Sequence, residues 1–210
     1  MKALKRILYN YTIIDMYRLI RDQLITLFVF GTKVRIIRHP FYVIGKRYMQ
    51  FGKGFQSGPR LRIEVVSKDF SRGLAEEEQL PSLRIGDNVS FNFNVHIGVV
   101  NKMIIGNNVL VGSNVTIIDH NHGTYAGNNQ ESPLSNPRDR KIVSDPVIIG
   151  ENVWIAENVV ILPGTHIGSG CVIGANAVVK GIFDENQIII GSPAKPIKKY
   201  NHQSKKWEIL

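Results

Sequence analysis

The chain has one cysteine, two tryptophans and no long hydrophobic run. A single cysteine, Cys171, excludes an intramolecular disulfide and suits a reducing compartment. The longest unbroken apolar stretch near the start, Leu27 to Phe30, is far too short to span a bilayer, and no cleavable leader is expected. The expected address is therefore cytoplasmic. Acidic residues are scarce in one region only: residues 1–62 hold 13 Lys and Arg against two Asp, whereas residues 63–210 hold 13 against 15. The net charge of +9 thus belongs to the amino-terminal region. Neither a nucleic-acid-binding motif nor interleaved aromatic and basic residues accompany it, which argues against nucleic acid as a partner. At 210 residues the chain can form one compact domain with a real core.

What is present is a period of six. Ile85, Phe91 and Ile97, then Ile105, Val111 and Ile117, then Ile149, Ile155, Ile161, Ile167, Ile173 and Val179 are all large and apolar. With 43% hydrophobic residues, chance would fill all twelve positions less than about one time in ten thousand. Smaller residues four positions on, such as Val89, Val109, Val153, Val159, Thr165, Cys171 and Ala177, are further inward candidates. A helix repeats every three to four residues and a free strand every two, so a sustained six fits neither. It fits an all-β solenoid, a parallel β-helix whose flat faces are each one short strand and one turn, with the markers stacking inward from coil to coil. Gly and Asn at Gly86-Asp87-Asn88, Gly106-Asn107-Asn108 and Gly150-Glu151-Asn152 supply corner conformations that branched residues resist. Fragments at Ile44-Gly45 and Phe51-Gly52, then Leu61, Ile63 and Val65, indicate one or two degenerate coils before the regular ones.

Ahead of the repeat, Ile13, Met16, Tyr17, Ile20, Leu24, Leu27 and Phe28 recur at helical spacing, with Asp15, Arg18, Asp22 and Thr26 on the opposite stripe. The spacing predicts a helix that caps the open end of the solenoid and covers its first coil. The cations Lys2, Lys5, Arg6, Arg18, Arg21, Lys33, Arg35 and Arg38 add attraction to an anionic bilayer surface, so peripheral membrane association joins the expectations. The expected organisation is a basic helical cap over residues 1–43, a β-helix over 44–199 with a loop inserted at 121–146, and a tail at 200–210.

The rhythm fails between Ile117 and Ile149, where several further markers would have fallen. The excursion is polar, carries Pro133, Pro137 and Pro146, and opens with Asp119-His120-Asn121-His122-Gly123. Long loops within compact solenoids are commonly functional, and histidine exchanges protons near neutrality, so His120 and His122 are the candidates for chemistry. Asp119 either orients an imidazole or bonds its own turn, and the turn is the commoner role. His96 and His166, also at the ends of their hexapeptides, are read as packed or solvated.

The repeat resembles the hexapeptide-repeat family, whose members form left-handed parallel β-helices, three hexapeptides to a coil, usually assembled as trimers. The handedness is implied by that resemblance, since the general rule for parallel crossovers predicts the opposite hand. The segment from Asn114 to Gly123, the excursion, and Pro146-Val-Ile-Ile-Gly-Glu-Asn-Val-Trp154-Ile together resemble the sugar O-acetyltransferase branch that includes maltose and galactoside acetyltransferases. The Asp-His-Asn-His-Gly signature, the basic amino-terminal segment and the end Pro193-Ala-Lys-Pro-Ile-Lys-Lys-Tyr are similar to the bacterial O-antigen and capsule O-acetyltransferases.

That resemblance implies direct transfer from acetyl-CoA to a hydroxyl of a sugar or glycan acceptor, in a homotrimer at the cytoplasmic side, without a metal. Counted without a gap from Asn114, the family's catalytic histidine falls on His122, with His120 the alternative. The acceptor-binding asparagine falls on Asn92, to orient the hydroxyl or support the oxyanion. The family's acceptor-binding aspartate falls on Val100, a departure that counts against a small free sugar. The donor positions fall on Trp154, Ala156, Glu157, Ala175, Lys180, Lys195 and Lys198. N-acetylation of an amino sugar is an alternative reaction, and a silent scaffold or sugar-binding β-helix an alternative class. A γ-class carbonic anhydrase, with zinc on His96, His120 and His122, is disfavoured because its Arg/Asp/Gln signature is missing.

Overall fold

A computed structural model describes Tyr9, residues 11–66 and residues 82–210. Lys2, Lys5 and Arg6 lie outside the described residues. Short strands follow one another around three faces, here A, B and C, and each pairs in parallel with its counterpart one coil away. The twelve markers divide four to a face. Phe91, Val111, Ile155 and Ile173 stack in face A; Ile97, Ile117, Ile161 and Val179 in face B; Ile85, Ile105, Ile149 and Ile167 in face C. All twelve are buried, and with Val89, Val109, Val115, Val153, Val159, Cys171 and Ala177 they form one continuous core. Each buried Val or Ile contributes roughly 1.5–3 kcal/mol, and only neighbouring coils supply the burial. Cys171 is fully enclosed, and burial pushes its thiol pKa up, so it is an inert core residue.

The corners use Asn and Gly for different reasons. Among the described residues eight asparagines, including Asn94, Asn114 and Asn158, hold φ between +55° and +62°. Their amides form a ladder from coil to coil, Asn94 Nδ2 donating to Asn114 Oδ1 at 2.9 Å and Asn114 Nδ2 to Asn158 Oδ1 at 3.2 Å. The glycines that follow the face C markers do not take positive φ. They allow close approach: a Cβ on Gly106 would lie 2.7 Å from the carbonyl carbon of Gly150, and one on Gly86 equally close to Gly106. Gly106→Ala should therefore destabilise by about 1–3 kcal/mol through overpacking, measured as a lower urea midpoint at unchanged m-value.

Two boundaries differ from the sequence expectation, at the first coil and at the last residues. The first strand of face A is Ile36–Ile37, paired with Gln56–Ser57, so coiling begins before residue 44. In that strand only Ile37 stands in the inward column, and the next coil puts Ser57 there, so no apolar period registers. Between Ile117 and Ile149 no face is lost: face B ends at Ile118, face C resumes at Val147, and the excursion occupies a single corner. Its neck is closed by Asp145 N donating to Asp119 O at 2.9 Å. Residues 200–210, expected as a tail, lie against their own chain: Lys206–Ile209 pairs antiparallel with Ala194–Asn201, which itself folds back on Gln187–Gly191 of face A.

The helix α1 spans Ile13–Phe30, opened by a reciprocal capping box between Thr12 and Asp15. It meets the first coil through its polar stripe. Thr26 and Asp22 are buried, and Thr26 Oγ1 accepts from Ile37 N at 2.8 Å, satisfying a donor that the edge strand would otherwise leave unpaired. Asp22 pairs with Arg21 at 2.7 Å. The core end is covered by Phe30, whose ring lies 5.8 Å from those of both Phe41 and Phe51. The apolar stripe faces away from the coil: Ile13, Tyr17, Ile20, Leu24, Leu27 and Phe28 are exposed.

Candidate active site

Where face B turns into the excursion, Asp119 is wholly buried. Its Oδ1 accepts from Val100 N at 2.9 Å and its Oδ2 from Asn101 N at 2.8 Å, both on the preceding coil. Oδ1 also lies 3.1 Å from His120 Nδ1. Asp119 thus bonds the neighbouring coil and an imidazole rather than its own turn. The reason is positional: the chain leaves the solenoid at a corner, where the coil below presents two unpaired backbone donors. Val100, onto which the resemblance places an acceptor-binding aspartate, is buried and gives its N–H to this carboxylate.

Residues 120–122 form a strand paired antiparallel with 142–144, His120 opposite Ser144 and His122 opposite Ile142. Two residues apart on a strand, the histidines lean to the same side. His120 is partly enclosed and His122 exposed. The His120 ring shares the surface of face B with His96, the two flanking Gly98: a Cβ there would stand 3.3 Å from His120 Cε1 and 3.8 Å from His96 Nε2. Without a side chain at Gly98 the rings have room. Beyond it Glu64 accepts from Arg62 at 2.7 Å and lies 3.3 Å from His96 Nε2.

Burial, then the charge of Arg62, holds the His96 pKa below its ordinary 6.5, against the opposing pull of Glu64. A depressed value means the fold prefers the neutral ring, so this contribution is present above pH 6.5 and is lost as pH falls below it. Urea unfolding on either side of pH 6.5 should show the loss in the parent protein and a flatter dependence in His96→Gln.

The excursion is held by Arg140, which the sequence reading did not single out. Its Nε donates to Ser135 Oγ at 2.9 Å, Nη2 to Ser135 O at 2.9 Å and Nη1 to Tyr125 Oη at 2.7 Å. Tyr125 in turn donates to the backbone oxygen of His122 at 2.5 Å. The loop therefore grips the His122 main chain and leaves its side chain free. No local pattern marks Arg140, since its partners are brought round by the fold of the loop.

The remaining candidates fall on two edges of the prism. Asn92, Ala156, Glu157 and Ala175 line the corner between faces A and B, stacked through Gly112 and Gly174. Trp154 stands half-exposed on face A beside that edge, between Leu110 and Val172. Lys180 lies at the opposite margin of face B, on the histidine side, and follows the column of Ile117, Ile161 and Val179. Lys195 and Lys198 sit on the returning strand Ala194–Asn201. His166 opens its strand of face C beside the same corner as Lys180, its N–H donating to Gly181 O at 2.9 Å. One chain thus holds Asn92 and His120 at opposite margins of face B, whose strands of three to four residues span roughly 10–13 Å. Among the described residues no group of three or more His, Cys, Asp or Glu side chains is arranged to hold a metal ion.

The family model described as bacterial transferase hexapeptide (six repeats) matches residues 146–181, and that for the hexapeptide repeat of succinyl-transferase matches residues 102–129. Over 200 residues, 95% of both chains, the sequence is 42% identical to a protein of Escherichia coli strain K12 assigned to lipopolysaccharide biosynthesis as the O-acetyl transferase WbbJ. A hexapeptide-repeat-containing acetyltransferase of Vibrio cholerae, solved with acetyl coenzyme A, covers 91% of this chain and 81% of its own with TM-score 0.51 at 22% identity, a likeness of fold alone. A maltose O-acetyltransferase of Clostridium difficile 630 covers 96% and 84% with TM-score 0.50 at 25% identity.

Proposed function

The chain belongs to the hexapeptide-repeat acetyltransferases, and from that premise we propose that it transfers the acetyl group of acetyl-CoA to a sugar hydroxyl of a bacterial surface polysaccharide or its precursor. The 42% identity to the lipopolysaccharide O-acetyl transferase supports the acceptor class. The observation that carries the site is the strand 120–122, fixed at its root by Asp119 and along its length by pairing with 142–144. In this reading His122, exposed and with its backbone held by Tyr125, takes the proton of the attacking hydroxyl and returns it to the leaving thiolate. The new C–O bond forms as the thioester C–S bond breaks, and the proton ends on coenzyme A.

The reading includes a left-handed coil, α1 as a cap on its amino-terminal end, and a homotrimer. The separation of Asn92 from the histidines supports the trimer, because a second copy is needed to bring the Asn92 edge against the histidine side. The donor would lie in that cleft, passing Trp154, Ala156, Glu157 and Ala175, with Lys180, Lys195 and Lys198 as point-charge partners for its phosphates. The address is the cytoplasm, at its membrane face, in keeping with the basic first 62 residues.

A second reading is favoured by one contact. The Asp119 to His120 pair would fix a tautomer with Nε2 free to accept a proton, which makes His120 the base instead. Mass spectrometry of the surface polysaccharide with and without the protein tests the function itself. The expected result is one acetyl group missing from an oxygen; an unchanged polymer overturns the proposal, and a missing N-acetyl group moves it to an amino sugar.

A further inference from the structure

We propose that the outward face of α1 is a docking surface for an anionic lipid bilayer. The inference rests on the membrane-face address above and not on the acetyl-transfer chemistry. Ile13, Tyr17, Ile20, Leu24, Leu27 and Phe28 cover about 100° of the helix circumference. Ile13 is 87% exposed and Phe28 94%, although apolar side chains of this size normally face a core. The polar stripe is the one already used, with Thr26 and Asp22 turned against the first coil. The helix is thus mounted with its apolar side out, and something apolar must cover that side.

Charge selects the occupant. Arg21, paired with Asp22, borders the stripe, and Lys33 and Arg35 stand exposed just beyond the end of the helix. Among the described residues Lys33, Arg35 and Arg38 join no ion pair. A second copy laid along the same stripe would bring these cations against their own kind, whereas an anionic lipid surface neutralises them while its acyl region takes the apolar side chains. No helix among the described residues is long and apolar enough to cross a membrane, so α1 would lie in the interface rather than span it. Apolar burial and a basic patch are the two signals that reversible surface attachment requires. Docking would set the amino-terminal end of the prism on the membrane, at the depth of a lipid-linked glycan headgroup.

The test is flotation of the full chain with vesicles of phosphatidylglycerol and phosphatidylcholine, against phosphatidylcholine alone. The parent protein should float with the anionic vesicles, less so at high salt. The double variant Leu24→Gln/Phe28→Gln should partition on the order of tenfold or more less. Both positions are exposed, so melting temperature should not change, and transfer to a soluble acceptor should continue. Equal flotation of parent and variant, or none for either, overturns the proposal. So does a variant that sediments as a smaller assembly, because the stripe would then be covered by another copy. Loss of acetyl transfer with flotation intact would count against the transferase reading and leave the docking face standing.

Discussion

His122→Ala should lower the turnover of acetyl transfer by about 10²–10⁴-fold, the usual range for removing a positioned general base. Binding of acetyl-CoA should change little, because in the proposed assignment the side chain meets the acceptor hydroxyl rather than the donor's phosphates. The fold should survive: His122 is exposed, and its structural ties, the pairing with Ile142 and the bond from Tyr125, are made by its backbone. His120→Ala provides the contrast. In the proposed assignment it removes a ring packed beside Gly98 and His96 and costs less than His122→Ala. Steady-state kinetics on both variants, with sedimentation to confirm an unchanged assembly, decides between them. A deep loss in His120→Ala with His122→Ala near normal would transfer the role to the Asp119-supported imidazole.

Asp119→Ala should be among the most destabilising substitutions in the chain. The carboxylate is completely buried and accepts from Val100 N and Asn101 N while holding His120 Nδ1. Its removal leaves two backbone donors without partners at a corner where water has little access, at about 1–3 kcal/mol each. A total of about 2–6 kcal/mol is a large part of the 5–15 kcal/mol that typically holds a domain together. Urea unfolding should show it as a lowered midpoint. Asp119→Asn should cost less but not nothing, since an amide oxygen satisfies one donor and its NH₂ confronts the other. Because Asp119 roots the strand that carries both histidines, Asp119→Asn should also lower turnover while the protein remains folded. A variant as stable as the parent would show that the corner finds other partners and that this anchor is dispensable.

Much of the architecture is legible in the order of residues because one repeat unit dictates one face. Twelve apolar markers name the three inward columns, and each marker occupies its expected kind of place. The corner asparagines are legible for the same local reason, a short polar side chain that tolerates positive φ. The glycines beside the face C markers were legible as corner residues but not in cause. Nothing in a linear sequence says that the backbone of Gly150 passes within contact distance of Gly106. The site divides along the same line. His120 and His122 stand out as a pair leaving the solenoid, whereas Asp119 looks like a turn residue until the coil below supplies its donors.

The amino-acid sequence alone determined the period of six, the flat-faced parallel coil, the place of the interruption and the pair of histidines that leave it, because each depends on neighbours near in the chain. Only the tertiary structure decided which way α1 faces, what Asp119 and Arg140 hold, and that Asn92 and the histidines lie across a face from one another. Those outcomes depend on contacts between coils and on which backbone donors an edge leaves unpaired. The helix shows this best: its apolar stripe is plain in the spacing, but only the structure shows Thr26 and Asp22 turned inward, Thr26 accepting from the N–H of Ile37, with the stripe left outside.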